Sequence, residues 1–247
     1  MLRKRLQLGL IHVAVAITLV PINSTLNRVM IKELGISAAL VAILASLPYV
    51  FSPIQVAVGS YADRHPLGGR RRTPYIVWGL LMSVAGSLLA PVGAFALGRG
   101  GVDGLLLSLL GFGAWGVGHN IAAVAYLSLA SELSGEEGRG RTIATMWFMM
   151  IIGIIITAAG VSRVVDPYSP AAVRQAFWMV GGVASVLGLL GLIGLEPRFV
   201  AGETIALRRH SWGEMARTMA GNRQARLFFA YLIVLLAALL GQDVLLE

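Results

Sequence analysis

GSYADRHPLGGRRR, Gly59 to Arg72, is flanked on both sides by long apolar runs. A dense basic turn between two membrane-length segments fixes a helical hairpin, and counting outward from it assigns a side to every other polar connection. The fold class that follows is all-α and transmembrane.

Composition leads to the same place. The chain has 247 residues, of which 57% are hydrophobic and 13% charged, and a mean hydropathy of +0.78; soluble domains carry about 25% charge. A buried core alone does not absorb that much apolar sequence. The formal charge of +8 does not point to nucleic acid, because the basic residues sit in short connections between apolar runs and not on a continuous polar face. With no cysteine, disulfides and thiolate metal sites are excluded.

Taken in order, a short basic head, Met1 to Arg5, precedes a first span from about Leu6 to Leu26, read as an uncleaved helix and not as a secretory signal. Ala38 to Tyr61 is the second span. Pro48 and Pro53 lie inside it, so it is expected to bend or open locally and leave carbonyls free near Gln55. Such a break suits either a binding site or a kinked packing helix. The third span begins at Pro74 and runs to about Leu97. Leu105 to Leu133 is the fourth, with Gly111, Gly113, Gly116 and Gly118 as a small-residue face for close helix contact. His119 and Asn120 follow directly. A histidine at this depth needs a partner: an interhelical hydrogen bond, a metal, or the central magnesium of a chlorin.

Ser134 to Arg141 is expected as an inner loop whose Glu136, Glu137, Arg139 and Arg141 form salt links with the Gly59–Arg72 loop. The fifth span runs from about Ile143 to Val161 and the sixth from Gln175 to Leu195. The chain is thereby divided into a six-helix bundle at 1–195, an inner linker at 196–226 with an amphipathic helix around Trp212 and Met215, and a partial seventh span at 227–247. A chain that stops inside such a span is expected to work with a missing C-terminal half.

Lysine and arginine placement tests this topology. The side holding the N-terminus receives 15 of them and the opposite side 5, a bias that puts the N-terminus in the cytoplasm.

Gly59, Asp63 and Arg64, followed by the cluster Arg70, Arg71 and Arg72, resemble the inner-loop signature of the major facilitator superfamily, although Pro66 to Gly69 lengthens the usual spacing. The six spans, long inner loop and start of a seventh resemble the first half of that fold and the opening of its second. Three further stretches narrow the match: Asn27 to Pro53 joined to GRRRTPYIVWG (Gly69–Gly79), GVGHNIAAVAYLSLASEL (Gly116–Leu133) and GQDVLLE (Gly241–Glu247). These resemble the bacteriochlorophyll-delivery or light-harvesting assembly branch, the PucC family.

The resemblance implies a multi-pass protein of the inner or photosynthetic membrane that aids assembly of light-harvesting complexes by binding or delivering (bacterio)chlorophyll. Its implied partners are the lipid bilayer and light-harvesting or reaction-centre polypeptides. Under it, His119 is the axial-ligand candidate, Gln55 and Asn120 are polar contacts, and Trp115 and Tyr126 are ring contacts. Gly59, Asp63, Arg64, Arg70, Arg71 and Arg72, with Glu136 and Arg139, would form the conformational gate. Two other readings stand beside it: a proton-coupled small-solute symporter, and a structural subunit of a photosynthetic complex that moves no cargo. No HExxH, no CxxC and no phosphate-binding glycine loop after a strand occurs, so the chain is not read as an enzyme.

Overall fold

Among the described residues, every long apolar run becomes a helix. In the computed structural model, residues 1–198, 217, 221–228, 230–231 and 233–235 are described, and the chain divides into two units, Met1–Val200 and Ala201–Glu247. In the second unit Asn222 caps a helical stretch at 223–228, its side-chain oxygen accepting from the backbone of Gln224 at 2.9 Å. The amphipathic helix expected around Trp212, and most of the segment 227–247, lie outside the described residues.

The first unit is built from α1 (Leu2–Ile17), a π-helical segment (Pro21–Leu26), α2 (Asn27–Lys32), α3 (Ala38–Val50), α4 (Ile54–Arg64), α5 (Thr73–Leu97), α6 (Val102–Val165) and α7 (Pro170–Leu192). Among the described residues five continuous helical stretches are long and apolar enough to cross a membrane. The longest of them, the 64-residue α6, is broken at Gly135, whose φ of 62° and ψ of 176° are not helical. The Ser134 hydroxyl donates to the Thr142 hydroxyl at 2.8 Å, although eight residues of straight helix would separate them by about 12 Å. The chain therefore doubles back, and α6 is two legs, 102–134 and 136–165. The fold is all-α and multi-span, with five to six apolar segments according to whether α6 is counted once or twice.

This corrects one expectation. The connection Ser134–Arg141 is not an open loop: it is helical on both sides of Gly135. Its glutamates and arginines are ordinary helix formers, and the reversal needs only one residue with positive φ, which glycine supplies without steric cost.

The break expected in the second span is present. α3 stops at Val50 and α4 begins at Ile54, with Pro53 as the residue before it. The first span also departs from a regular helix, in a way not anticipated: the segment after Pro21 widens to π geometry before α2.

Close contact between α5 and α6 organises the bundle. Gly79, Gly86 and Gly93 recur every seven residues on α5 and face Gly118, Gly111 and Ser108 on the first leg of α6. A Cβ on Gly118 would lie 2.6 Å from the Gly79 carbonyl oxygen, and one on Gly86 2.7 Å from the Gly111 oxygen. Only glycine allows the two backbones to meet this way, and the gain is dispersion contact along the full length of both helices. α1 packs against α7 and both legs of α6, with Gly153 seated against Val13. The larger buried cluster joins Leu8, Ile11, Ile76, Leu80, Leu129 and Met146 across these helices.

Candidate functional site

Four polar segments share one end of the bundle. Gln7 donates to the Ile193 carbonyl at 2.7 Å, and the Glu196 carboxylate accepts from the backbone N–H groups of Arg71 (2.8 Å), Arg72 (2.9 Å) and Thr73 (2.6 Å). Three N–H groups at the start of α5 thus converge on one carboxylate, where the unpaired donors and the helix dipole favour negative charge. Arg72, with only 7% of its side chain exposed, is held between Asp63 and Glu132; its Nε donates to Glu132 at 3.0 Å and its terminal nitrogen to Glu132 at 2.7 Å and to Asp63.

The lengthened spacing of this loop has a structural outcome. Gly68 and Gly69, with φ of 60° and 71°, make a two-residue turn closed by paired Leu67 and Arg70 backbone hydrogen bonds of 3.0 and 3.1 Å. Positive φ at both central residues is the geometry that glycine pairs supply. Arg64 turns back onto its own helix, donating to the Ser60 carbonyl and hydroxyl at 3.0 Å each, and Gly59 lies against Val124.

Of the expected gate residues, Asp63 and Arg72 are thus brought into contact. The carboxylate that meets Arg72 from α6 is Glu132, on the first leg just before the reversal at Gly135, and not Glu136 beyond it. Neither Glu132 nor Glu196 was singled out from sequence. The signal for Glu132 was its place at the end of the apolar span, four residues before the acidic pair; Glu196 had none, since its partners lie more than 120 residues away.

Toward the middle of the bundle, the gap between α3 and α4 is filled from α6. Ser52 donates to Tyr49 and not to Pro48, which leaves the Pro48 carbonyl without its usual helical partner. Asn120 takes that place, donating from Nδ2 to Pro48 at 2.7 Å and to the Gly116 carbonyl at 2.9 Å, while its Oδ1 accepts from Gln55. Gly116 allows this approach, because a Cβ there would lie 2.9 Å from Pro48 Cα. Gln55 and Asn120 are therefore bonded to each other. Gln55 also borders an open groove of about 440 Å³ that extends along Val124, Leu127, Ser128 and Ser131 to Arg72 and Glu132.

His119 occupies the position between the glycine contact and this clamp. It is half-buried, and its Nδ1 is buried without a hydrogen-bond partner. Tyr126, two turns further along the same helix, is buried and lies 5.2 Å, centroid to centroid, from the ring of His12 on α1. Trp115 is elsewhere: it is 1% exposed, donates to the Thr18 hydroxyl at 3.3 Å and meets Phe112 edge-on in the core.

Among the described residues no group of three or more His, Asp or Glu gathers as a metal centre would need. An imidazole with an uncommitted buried nitrogen does fit a ligand that brings its own metal centre or polar atom.

Residues 25–247 match the family described as PUCC protein. The chain belongs to that family. Protein PucC of Cereibacter sphaeroides is 34% identical over 80% of this chain and 45% of its own length. Protein PucC of Rhodovulum sulfidophilum is 28% identical over 87% of this chain and 51% of its own. The bacteriochlorophyll synthase 44.5 kDa chain of Rhodobacter capsulatus is 29% identical over 98% of this chain and 55% of its own. The chain spans about half the length of the curated relatives it matches. Membership of the PucC family agrees with the reading of a multi-pass membrane protein that is not an enzyme.

Proposed function

We propose that this chain forms the pigment-handling part of a membrane factor for light-harvesting complex assembly, holding (bacterio)chlorophyll at His119. The observation that carries the reading is the buried, unpartnered Nδ1 of His119 inside an apolar bundle of a PucC-family chain. Ordinary packing histidines find an interhelical partner; this one is left able to serve a ligand. His119 would hold the central magnesium of a chlorin through an imidazole nitrogen.

The chain's own residues supply the rest. Asn120 and Gln55 pin the opened second span against α6 and so fix the position of His119 next to them. The glycine contact at Gly118 sets the depth at which α6 sits against α5.

The same proposal takes the topology as six crossings of a major facilitator half-fold, with the N-terminus and the Asp63–Arg72 loop in the cytoplasm of an inner or photosynthetic membrane. Asp63, Arg72, Glu132 and Glu196 are then the ionic latch of a conformational gate, releasing when α5 and α6 move apart at that end. Light-harvesting or reaction-centre polypeptides are the proposed recipients.

Purified intact protein, saturated with (bacterio)chlorophyll a in mild detergent and compared with His119→Leu, tests this. The proposal expects bound pigment in the wild type and its loss in the variant with the fold retained. Equal pigment in both would remove His119 from the role.

A further inference from the structure

The second half of the first span is too polar for lipid. Asn23, Ser24, Thr25, Asn27 and Arg28 follow one another closely there, and a polar run at that depth is tolerated where it lines a cavity. The π turn at Pro21–Leu26 sets their register, because one extra residue in a turn rotates everything after it by about 100°. Such turns are frequent at functional sites. This one borders a pocket of about 430 Å³ between the first span and the far end of the second leg of α6, a volume in the range of small-molecule sites. Arg28 on its wall is roughly 30 Å of helix beyond Gln7, so the pocket lies at the end of the bundle opposite the Asp63–Arg72 loop.

The charges on its wall are not paired with each other. Arg28 lines the pocket together with Glu33, which follows α2, and Asp166, which follows α6. Neither carboxylate lies within ion-pair distance of Arg28; the ion pairs among the described residues are those of Arg72 at the other end. The Ser162 hydroxyl, on the same wall, makes no hydrogen bond among the described residues. Val29 and Val165 supply apolar lining beside these groups. The pocket therefore presents one cationic and two anionic groups to whatever enters it.

That pattern selects a zwitterion. A simple anion meets two carboxylates against one guanidinium, and a simple cation leaves Arg28 without a partner. An ammonium with N–H donors suits Glu33 and Asp166, and a phosphate suits Arg28, with the Ser162 hydroxyl able to donate as well. A quaternary ammonium does not fit: it has no N–H, and Tyr168, the one aromatic ring on the wall, does not make a cage. A pocket at the ends of membrane helices, with apolar lining beside its charges, stands at the level of the bilayer headgroups. We infer that this pocket binds a phosphoethanolamine group, Arg28 and Ser162 holding the phosphate and Glu33 and Asp166 the ammonium, and that the group belongs to an ethanolamine phospholipid of the surrounding membrane. The bound headgroup ties the first span to the second leg of α6. It is independent of what His119 holds.

The test uses intact protein stripped of lipid in a maltoside detergent, with binding read by native mass spectrometry and by the shift of the thermal unfolding midpoint. Three probes are titrated: dioctanoylphosphatidylethanolamine, the matching phosphatidylcholine, and glycerophosphoethanolamine, which has the headgroup without the chains. Wild-type protein is expected to bind the ethanolamine lipid about tenfold tighter than the choline lipid, which cannot donate to the carboxylates. Arg28→Gln is expected to weaken both lipids about tenfold and leave their ratio unchanged, whereas Glu33→Gln combined with Asp166→Asn is expected to abolish the preference. All three positions are exposed, and the unfolding midpoint without lipid verifies that the variants keep the fold. Glycerophosphoethanolamine is expected to bind about tenfold more weakly than the lipid; equal binding would overturn the lipid as the source and assign the pocket to a free phosphate ester. Wild-type protein that binds ethanolamine and choline lipids alike overturns the inference without any variant, and so does an Arg28→Gln protein of unchanged affinity.

Discussion

Asn120 makes a hydrogen bond with both amide protons and with its oxygen, and two of the three partners belong to the broken second span. Its removal strands the Pro48 carbonyl and takes the partner from the Gln55 amide. Asn120→Leu is therefore expected to destabilise the protein by about 1–2 kcal/mol, within the range found for polar contacts between membrane helices. Thermal unfolding in detergent checks this, and an unchanged midpoint would mean that the clamp holds nothing. Glu196 makes a comparable claim at the basic end. Glu196→Ala leaves three N–H groups at the start of α5 without an acceptor, and its cost is expected to be about 1–3 kcal/mol. Glu196→Gln, which keeps the shape and one acceptor, is expected to lose less. At this scale the sequence was partly readable. The pairing of Gln55 with the region opened by Pro48 and Pro53 followed from proline chemistry. Asn120 as the group that closes it did not, because which side chain reaches a freed carbonyl depends on how two distant helices are set against each other.

Helices were the most legible level, since a run of apolar residues of membrane length admits little else. Their irregularities divide by cause. The α3–α4 break was readable because two prolines five residues apart force it. The π segment after Pro21 was not, because one proline at that point is compatible with several hydrogen-bond registers and tertiary contacts choose among them. The reversal at Gly135 was placed within the right eight residues but expected as an open loop. The small residues of α6 were legible but do not form one face: Gly111 and Gly118 meet α5, whereas Gly116 meets Pro48 and Gly113 lies nearest Phe51. The contact with α5 makes a sharp prediction. Gly118→Ala would put a methyl 2.6 Å from the Gly79 oxygen, whereas the nearest atom to a methyl at Gly113 is Phe51 Cε2 at 3.8 Å. Gly118→Ala is expected to cost about 1–3 kcal/mol through overpacking, while Gly113→Ala is neutral or slightly stabilising through helix propensity. Equal melting temperatures for the two variants would refute the backbone contact.

For the molecule as a whole, Gln7, the Asp63–Arg72 loop, the reversal at Gly135 and the 193–196 turn gather at one end, as the hydrogen bonds of Gln7 and Glu196 require. Arg5 approaches Gly138 at that end as well. That this end faces the cytoplasm is the part of the proposal that the charge count supports. Because the chain has no cysteine, single cysteines report the side directly: Leu67→Cys is expected to react with a membrane-impermeant maleimide only from the cytoplasmic face, and Val102→Cys only from the opposite one, both positions being exposed. The reverse pattern would invert the topology. What the sequence could not give at this scale was the joining of α1 to α6 through His12, Tyr126 and Trp147, three residues distant along the chain. The central claim is that this bundle holds a chlorin through His119. It is tested most directly by purifying the intact protein from a pigmented membrane and recording its absorption together with extracted-pigment stoichiometry, for wild type and His119→Leu side by side. The account predicts a fixed ratio of (bacterio)chlorophyll to wild-type protein and a colourless, folded variant; a colourless wild type, or a variant that keeps its pigment, would contradict it.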